Sequence, residues 1–267
     1  MMDESFEPDV AAAAGRLSAA LRSREACDPV RPLVERAGVE GAYAAQRLLE
    51  QEQVAAGARV IGRKIGLTSA AVQTQLGVDQ PDFGFLTDLM AFGDAQELPF
   101  NRLIAPRVEA EVAFVMGKDL EDDGLALPQV IRAVEFALPA IEVVDSRVRD
   151  WKISIYDTVA DNASSGLFVL GGSPRKLDRL DLRLCGMSLT SRGEPVSVGC
   201  GAACMGNPVN ALLWLARTMQ KNGSPLREGD VVLSGALGPM VPARAGATYS
   251  AAISGLGSVS AVFSAEG

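Results

Sequence analysis

The side chains able to do chemistry in this sequence are mainly carboxylates, because the chain contains no histidine. That absence removes histidine general bases, Ser-His-Asp and Cys-His nucleophile systems, and nearly every usual zinc, copper or non-haem iron site. Proton transfer is left to Asp, Glu, Lys, Tyr or Cys. Any metal must be held largely by oxygen, which favours Mg²⁺ or Mn²⁺.

The run Arg107-Val108-Glu109-Ala110-Glu111-Val112-Ala113-Phe114-Val115 alternates as a strand does, so Glu109 and Glu111 share a face, about 7 Å apart. Ionised and desolvated, the two would repel and would call for a compensating positive charge. An edge strand with its acidic face in water has the same pattern. A third carboxylate, Glu142, lies inside a second apolar run, Leu138-Pro139-Ala140-Ile141-Glu142-Val143-Val144-Asp145. Three glutamates on two strands make an all-oxygen site for Mg²⁺ or Mn²⁺ with positions left for water and substrate.

Lys64, in Gly62-Arg63-Lys64-Ile65-Gly66-Leu67-Thr68, either snorkels to solvent or, beside a metal-bound acid, binds a carboxylate or polarises an oxyanion. Asp82 falls in Pro81-Asp82-Phe83-Gly84, where aspartate commonly bonds its own turn. Ser164 and Ser165 precede a strand and fit a capping or turn role. The segment from Gly199 to Gly206 contains Gly-x-Gly but no third glycine at dinucleotide spacing, and no Gly-Lys-Ser/Thr occurs.

The elements that must position these residues follow from periodicity. Residues 8–24 and 40–56 have helical spacing and are separated by a break from Asp28-Pro29 to Gly38. A β-like run covers 59–68, a helical one 69–76, and a turn-rich loop 77–84. Strands are expected over 107–116, 140–144, 166–170, 180–191 and 230–234, with more β structure over 248–264. The pattern predicts helices over 127–137 and 207–221, the second closed by Asn222-Gly223. Ser191-Arg192-Gly193-Glu194 reads as a hairpin turn. This predicts an α+β chain with an N-terminal helical extension over 1–58 and one continuous β-rich catalytic unit over 59–267.

Of the 267 residues, 48% are hydrophobic, enough for a sizeable core. A net charge of −8 with scattered Lys and Arg excludes nucleic acid as an expected partner. No run nears 18 apolar residues, so no membrane contact is expected. The acidic start, Met1-Met2-Asp3-Glu4, is unlike a signal peptide and predicts a cytoplasmic protein. The four cysteines, Cys27, Cys185, Cys200 and Cys204, then read as free thiols.

Taken with Leu76-Gly77-Val78-Asp79-Gln80-Pro81-Asp82-Phe83-Gly84, Ala140-Ile141-Glu142-Val143-Val144-Asp145-Ser146-Arg147 and Asp157-Thr158-Val159-Ala160-Asp161-Asn162-Ala163-Ser164-Ser165-Gly166, the motifs around Lys64 and Glu109 resemble the hydratase and decarboxylase family of meta-cleavage pathways. The resemblance covers about residues 40–245. It implies a mixed β-roll of the fumarylacetoacetase C-terminal type and assembly into a homo-oligomer. It implies Glu109, Glu111 and Glu142 as metal ligands for Mg²⁺ or Mn²⁺, Lys64 and Asp82 as the acid–base and orienting pair, and Ser164 and Leu67 as substrate contacts. The segments 205–211 and 233–243 are more similar to the branch that adds water to 2-hydroxypenta-2,4-dienoate than to the 2-oxo-3-hexenedioate decarboxylases. A non-catalytic oligomeric partner is the remaining alternative. Asn207 stands where many relatives carry histidine and is not expected to be catalytic.

Overall fold

Two long apolar stretches with embedded glutamates become the two longest strands, β5 (Pro106–Met116) and β6 (Val134–Asp145). They appear in a computed structural model that describes residues 6–69, 73–74 and 78–265. The two pair antiparallel over their whole length, from Pro106 opposite Asp145 to Met116 opposite Val134. Around them an eight-stranded sheet is built from β1 (Val60–Gly66), β2 (Asp82–Thr87), β3 (Ala91–Gly93), β7 (Ser165–Leu170), β10 (Val231–Ala236) and β11 (Val241–Pro242). Its order is β2-β1-β10-β5-β6-β7-β3, with β11 also on β5. The β1–β10 and β3–β7 pairs are parallel and the others antiparallel, so the sheet is mixed.

A second sheet of five strands has the order β4-β13-β12-β8-β9, made of β4 (Glu97–Leu98), β8 (Gly186–Ser191), β9 (Glu194–Cys200), β12 (Thr248–Ile253) and β13 (Gly257–Phe263). The main core lies where Val108, Val112 and Phe114 of β5 meet Leu189, Tyr249 and Phe263 of this sheet. Removing such side chains from water is the chief stabilising term, at roughly 1.5–3 kcal/mol per large side chain.

Six helices are described: α1 (Glu7–Ser23), α2 (Arg31–Val34), α3 (Gly38–Ala55), α4 (Leu127–Ala133), α5 (Ile155–Ala160) and α6 (Pro208–Lys221). Alanine-rich faces let α1 and α3 approach closely. Val10, Leu17 and Leu49 then pack with Phe85 of β2 and Val159 of α5. Asn207 is the N-cap of α6 and accepts from the Val209 N–H at 3.0 Å. Leu212, Leu215 and Met219 of α6 join the main core. None of the helices among the described residues is long and apolar enough to cross a membrane.

Three expectations from periodicity need correction. The helix expected over 127–137 stops at Ala133, because from Val134 onward the backbone is claimed by pairing with β5. For the same reason the strand expected over 140–144 runs from Val134 to Asp145. The strand expected over 180–191 starts at Gly186, since the Asp181 carboxylate accepts the N–H groups of Arg183 and Leu184 and holds a turn there. Asp82 is not a turn residue: it opens β2, opposite Gly66 of β1. The helical run expected over 69–76 lies largely outside the described residues, as do residues 1–5.

Gln46 joins the N-terminal helices to the strand that carries Asp82. Its buried amide donates to Phe83 O at 2.9 Å and to Val159 O at 2.8 Å. Gln46→Leu leaves two buried carbonyls without that donor and is expected to cost about 1–3 kcal/mol, read as a lower urea midpoint with unchanged slope.

Candidate active site

The β5–β6 register puts Glu109 directly opposite Glu142, and Glu111 two residues further along the same face of β5. Ligand oxygens of the three glutamates lie within 4.8 Å of one another. Glu111 and Glu142 are fully buried, and Glu109 is half-buried. Glu111 Oε2 accepts the Gly235 N–H at 2.7 Å, but Glu111 Oε1 and both oxygens of Glu142 accept no hydrogen bond. Gly235 has φ +100°, and a Cβ there would lie 2.4 Å from the Thr68 side chain, so only glycine can bring its N–H to this carboxylate.

Buried carboxylates without partners are costly. Burial, with Glu142 nearby, lifts Glu109 to about 7. Glu111 is raised well above the usual range by burial, then by Glu142 and Glu109. A fold that gathers three such groups and leaves Glu111 Oε1 and both Glu142 oxygens without a hydrogen bond has the donor set of a divalent cation site, with hard oxygen ligands and a charge to neutralise. The residues present fit such an ion.

Lys64, on β1, is buried beside this trio. Its Nζ is 3.1 Å from Glu142 Oε1 and donates to Ala163 O at 2.9 Å. Burial alone would lower its pKa, but Glu142 and Asp82, then Glu109 and Glu111, outweigh it and raise it, so the group stays an ammonium. Asp82 lies across Gly66 from Lys64: a Cβ on Gly66 would sit 2.2 Å from Asp82 Oδ1 and 3.6 Å from Lys64 Nζ. Asp82 Oδ1 is buried without a partner, and Oδ2 accepts from Thr158 Oγ1 at 3.5 Å. Burial lifts Asp82 to about 6, against the opposing pull of Lys64. Thr158 Oγ1 is also 3.4 Å from Ser164 Oγ.

The segment behind Lys64 is strained. Asn162, Ala163 and Ser164 have φ of 55°, 49° and 54°, three successive left-handed residues without a glycine. Asn162 holds the run in place, accepting the Phe85 N–H at 2.7 Å and donating to Phe85 O at 3.0 Å. The buried Arg147–Asp161 ion pair supports it from below, and Arg147 also donates to Asp145 O and Ser165 O. Leu67, at φ 56°, is another left-handed residue at the site.

A cavity of about 380 Å³ opens over these groups, lined by Lys64, Leu67, Asp82, Glu109 and Ser164 among the residues singled out in the sequence. Glu111 and Glu142 have ligand oxygens within 4.8 Å of that of Glu109. Sequence reasoning misses Thr158, Asn162 and Trp151. Thr158 and Asn162 sit inside a quoted motif, but their role depends on contacts with β2 that no local pattern reveals. Trp151, one of two tryptophans in the chain, lines the cavity.

The trio of glutamates beside a buried lysine and aspartate, on a mixed sheet, is a candidate metal-assisted acid–base site. The chain belongs to the fumarylacetoacetate (FAA) hydrolase C-terminal family, whose model matches residues 64–264. It is 53% identical over 262 residues to the TodF product hydratase of Pseudomonas putida, covering 98% of each chain. It is 51% identical over 251 residues to the 2-keto-4-pentenoate hydratase of Paraburkholderia xenovorans, covering 94% of this chain and 93% of the relative. Among solved structures, 4-oxalocrotonate decarboxylase from Pseudomonas putida G7, complexed with magnesium and adipate, is similar with a TM-score of 0.91 at 34% identity. That match covers 95% of this chain and 97% of the other.

Proposed function

We propose that this protein is a divalent-metal-dependent hydro-lyase that adds water to 2-hydroxypenta-2,4-dienoate, giving 4-hydroxy-2-oxopentanoate. The observation that carries the reading is the convergence of Glu109, Glu111 and Glu142, with orphaned buried oxygens on Glu111 and Glu142, beside Lys64 and Asp82. Identity above 50% to two hydratases supports the water-adding branch. The metal-bound decarboxylase relative supports a divalent ion and makes 2-oxo-3-hexenedioate decarboxylation the second reading. Mg²⁺ or Mn²⁺ is the proposed ion. A cytoplasmic homo-oligomer is part of the proposal, supported by the four free thiols and the family resemblance.

Glu109, Glu111 and Glu142 would hold the divalent ion. A divalent cation held there would supply Lewis-acid stabilisation of the negative charge that develops at the acid end of the substrate. Lys64, kept cationic by its carboxylate neighbours, orients Glu142 and adds positive charge at the same end of the substrate. Asp82 Oδ1, free of other partners, takes the proton from the C2 hydroxyl and returns it at C5, giving 2-oxo-3-pentenoate. It next accepts a proton from the water that attacks C4 and delivers one at C3. Thr158 and Ser164 keep the carboxylate and the substrate chain in line through their hydroxyls. Apolar walls from Leu67, Ile153 and Trp151 limit bulk water around the dienoate.

Removing divalent ions with EDTA is expected to abolish turnover, and Mg²⁺ or Mn²⁺ to restore it. Mn²⁺ titration followed by electron paramagnetic resonance should find a saturable site in the stripped protein. Full turnover in EDTA would overturn the assignment.

A further inference from the structure

Part of the cavity wall is built from Trp151, Ile153, Pro239 and Met240. Among the described residues Lys64 is the only lysine or arginine that lines the cavity. A cation nevertheless lies just outside. Arg107 stacks its guanidinium on the Trp151 ring, 4.4 Å from the centroid, and its Nη1 is 3.7 Å from Met240 Sδ. Among the described residues Arg107 makes no close ion pair, although its charge acts on Glu109 two residues along β5.

Trp151 is fixed as a partition. Its indole N–H donates to Ala105 O at 2.9 Å, so the ring is tethered to the strand entry that precedes Arg107. Its backbone and that of Asp150 are both left-handed, at φ 55° and 56°, a conformation that non-glycine residues keep only where the surroundings enforce it. The chain thus accepts local strain to stand an indole between a cavity and a guanidinium.

We propose that Trp151 is a specificity-determining residue: it screens Arg107 from the cavity and so restricts the site to monocarboxylic 2-oxo or 2-hydroxydienoic acids with an uncharged distal end. The inference rests on the proposed site, where the single acid head group is taken at the Lys64 and glutamate end. A second carboxylate against this wall would meet indole, isoleucine and methionine with no counter-charge. An alkyl end loses nothing there and gains apolar contact.

The test is equilibrium binding of two unreactive probes, 2-oxohexanoate and 2-oxoadipate, to the Mg²⁺-loaded protein by calorimetry. Wild type is expected to favour 2-oxohexanoate by about 100-fold, the scale of a charge left unpaired in an apolar site. Trp151→Ala should narrow that ratio at least about tenfold, chiefly by tighter 2-oxoadipate binding, and adding Arg107→Leu should restore it. Met240→Lys, on an exposed loop, puts a cation into the intact wall and should narrow the ratio even if Trp151→Ala fails to fold. Equal wild-type affinities, an unchanged ratio in Met240→Lys, or narrowing that survives Arg107→Leu would each overturn the proposal. Binding of neither probe would overturn the acid site itself and the inference with it.

Discussion

Glu111→Gln is expected to weaken Mn²⁺ binding by about 100-fold or more and to lower turnover by about 10²–10³-fold, while stabilising the metal-free fold. The two effects have one cause. In the metal-free protein Glu111 is buried among Glu142 and Glu109, both of which raise its pKa, and its Oε1 accepts nothing. Glutamine keeps an oxygen for the Gly235 N–H, which now meets Oε2 at 2.7 Å, and removes the repulsion. At mildly alkaline pH the metal-free variant should therefore melt at a higher temperature than wild type. Thermal melts in EDTA measure that gain, and Mn²⁺ titration measures the lost affinity. A variant less stable than wild type without metal would mean that Glu111 serves the fold and not an ion. Glu142→Gln should lose turnover similarly, but it also strips Lys64 of its ion-pair partner, so no such gain in stability is expected there.

Asp82→Asn should slow turnover by about 10²–10⁴-fold and leave Mn²⁺ affinity nearly unchanged, because the lost function is proton transfer and not ligation. The pH profile separates this from a structural role. Asp82 acts in its ionised form, and burial raises it to about 6. In wild type, kcat/KM should therefore fall about tenfold per pH unit below that value and level off above it. Asparagine cannot titrate, so the residual rate of the variant should lack this acidic limb. A variant with the wild-type rate would remove Asp82 from the mechanism, and an unchanged limb would assign it to another group.

Much of this site is legible in the amino-acid sequence itself. The alternation in 107–115 puts Glu109 and Glu111 on one face, and the missing histidines direct attention to oxygen ligands. What no local pattern supplies is register. That Glu109 stands opposite Glu142 is a matter of pairing between residues 33 positions apart in sequence. The same pairing cuts short the helix begun at Leu127, and a separate pairing with β1 draws Asp82 out of its apparent turn into β2. Lys64 is ambiguous because a lysine in an apolar run is usually headed for solvent. Its burial makes sense only once Glu142 and Asp82 are placed around it. The left-handed run at Asn162–Ser164 and the partition at Trp151 leave no signature, since neither uses the glycines that normally mark such backbone.

The most direct test of the account is the fate of freshly generated 2-hydroxypenta-2,4-dienoate with the purified protein and Mg²⁺, followed by ultraviolet absorbance with the product identified by NMR. The account predicts metal-dependent decay to 4-hydroxy-2-oxopentanoate. A dienoate left unchanged, with CO₂ released from 2-oxo-3-hexenedioate instead, would contradict it and give the site to the decarboxylase reaction.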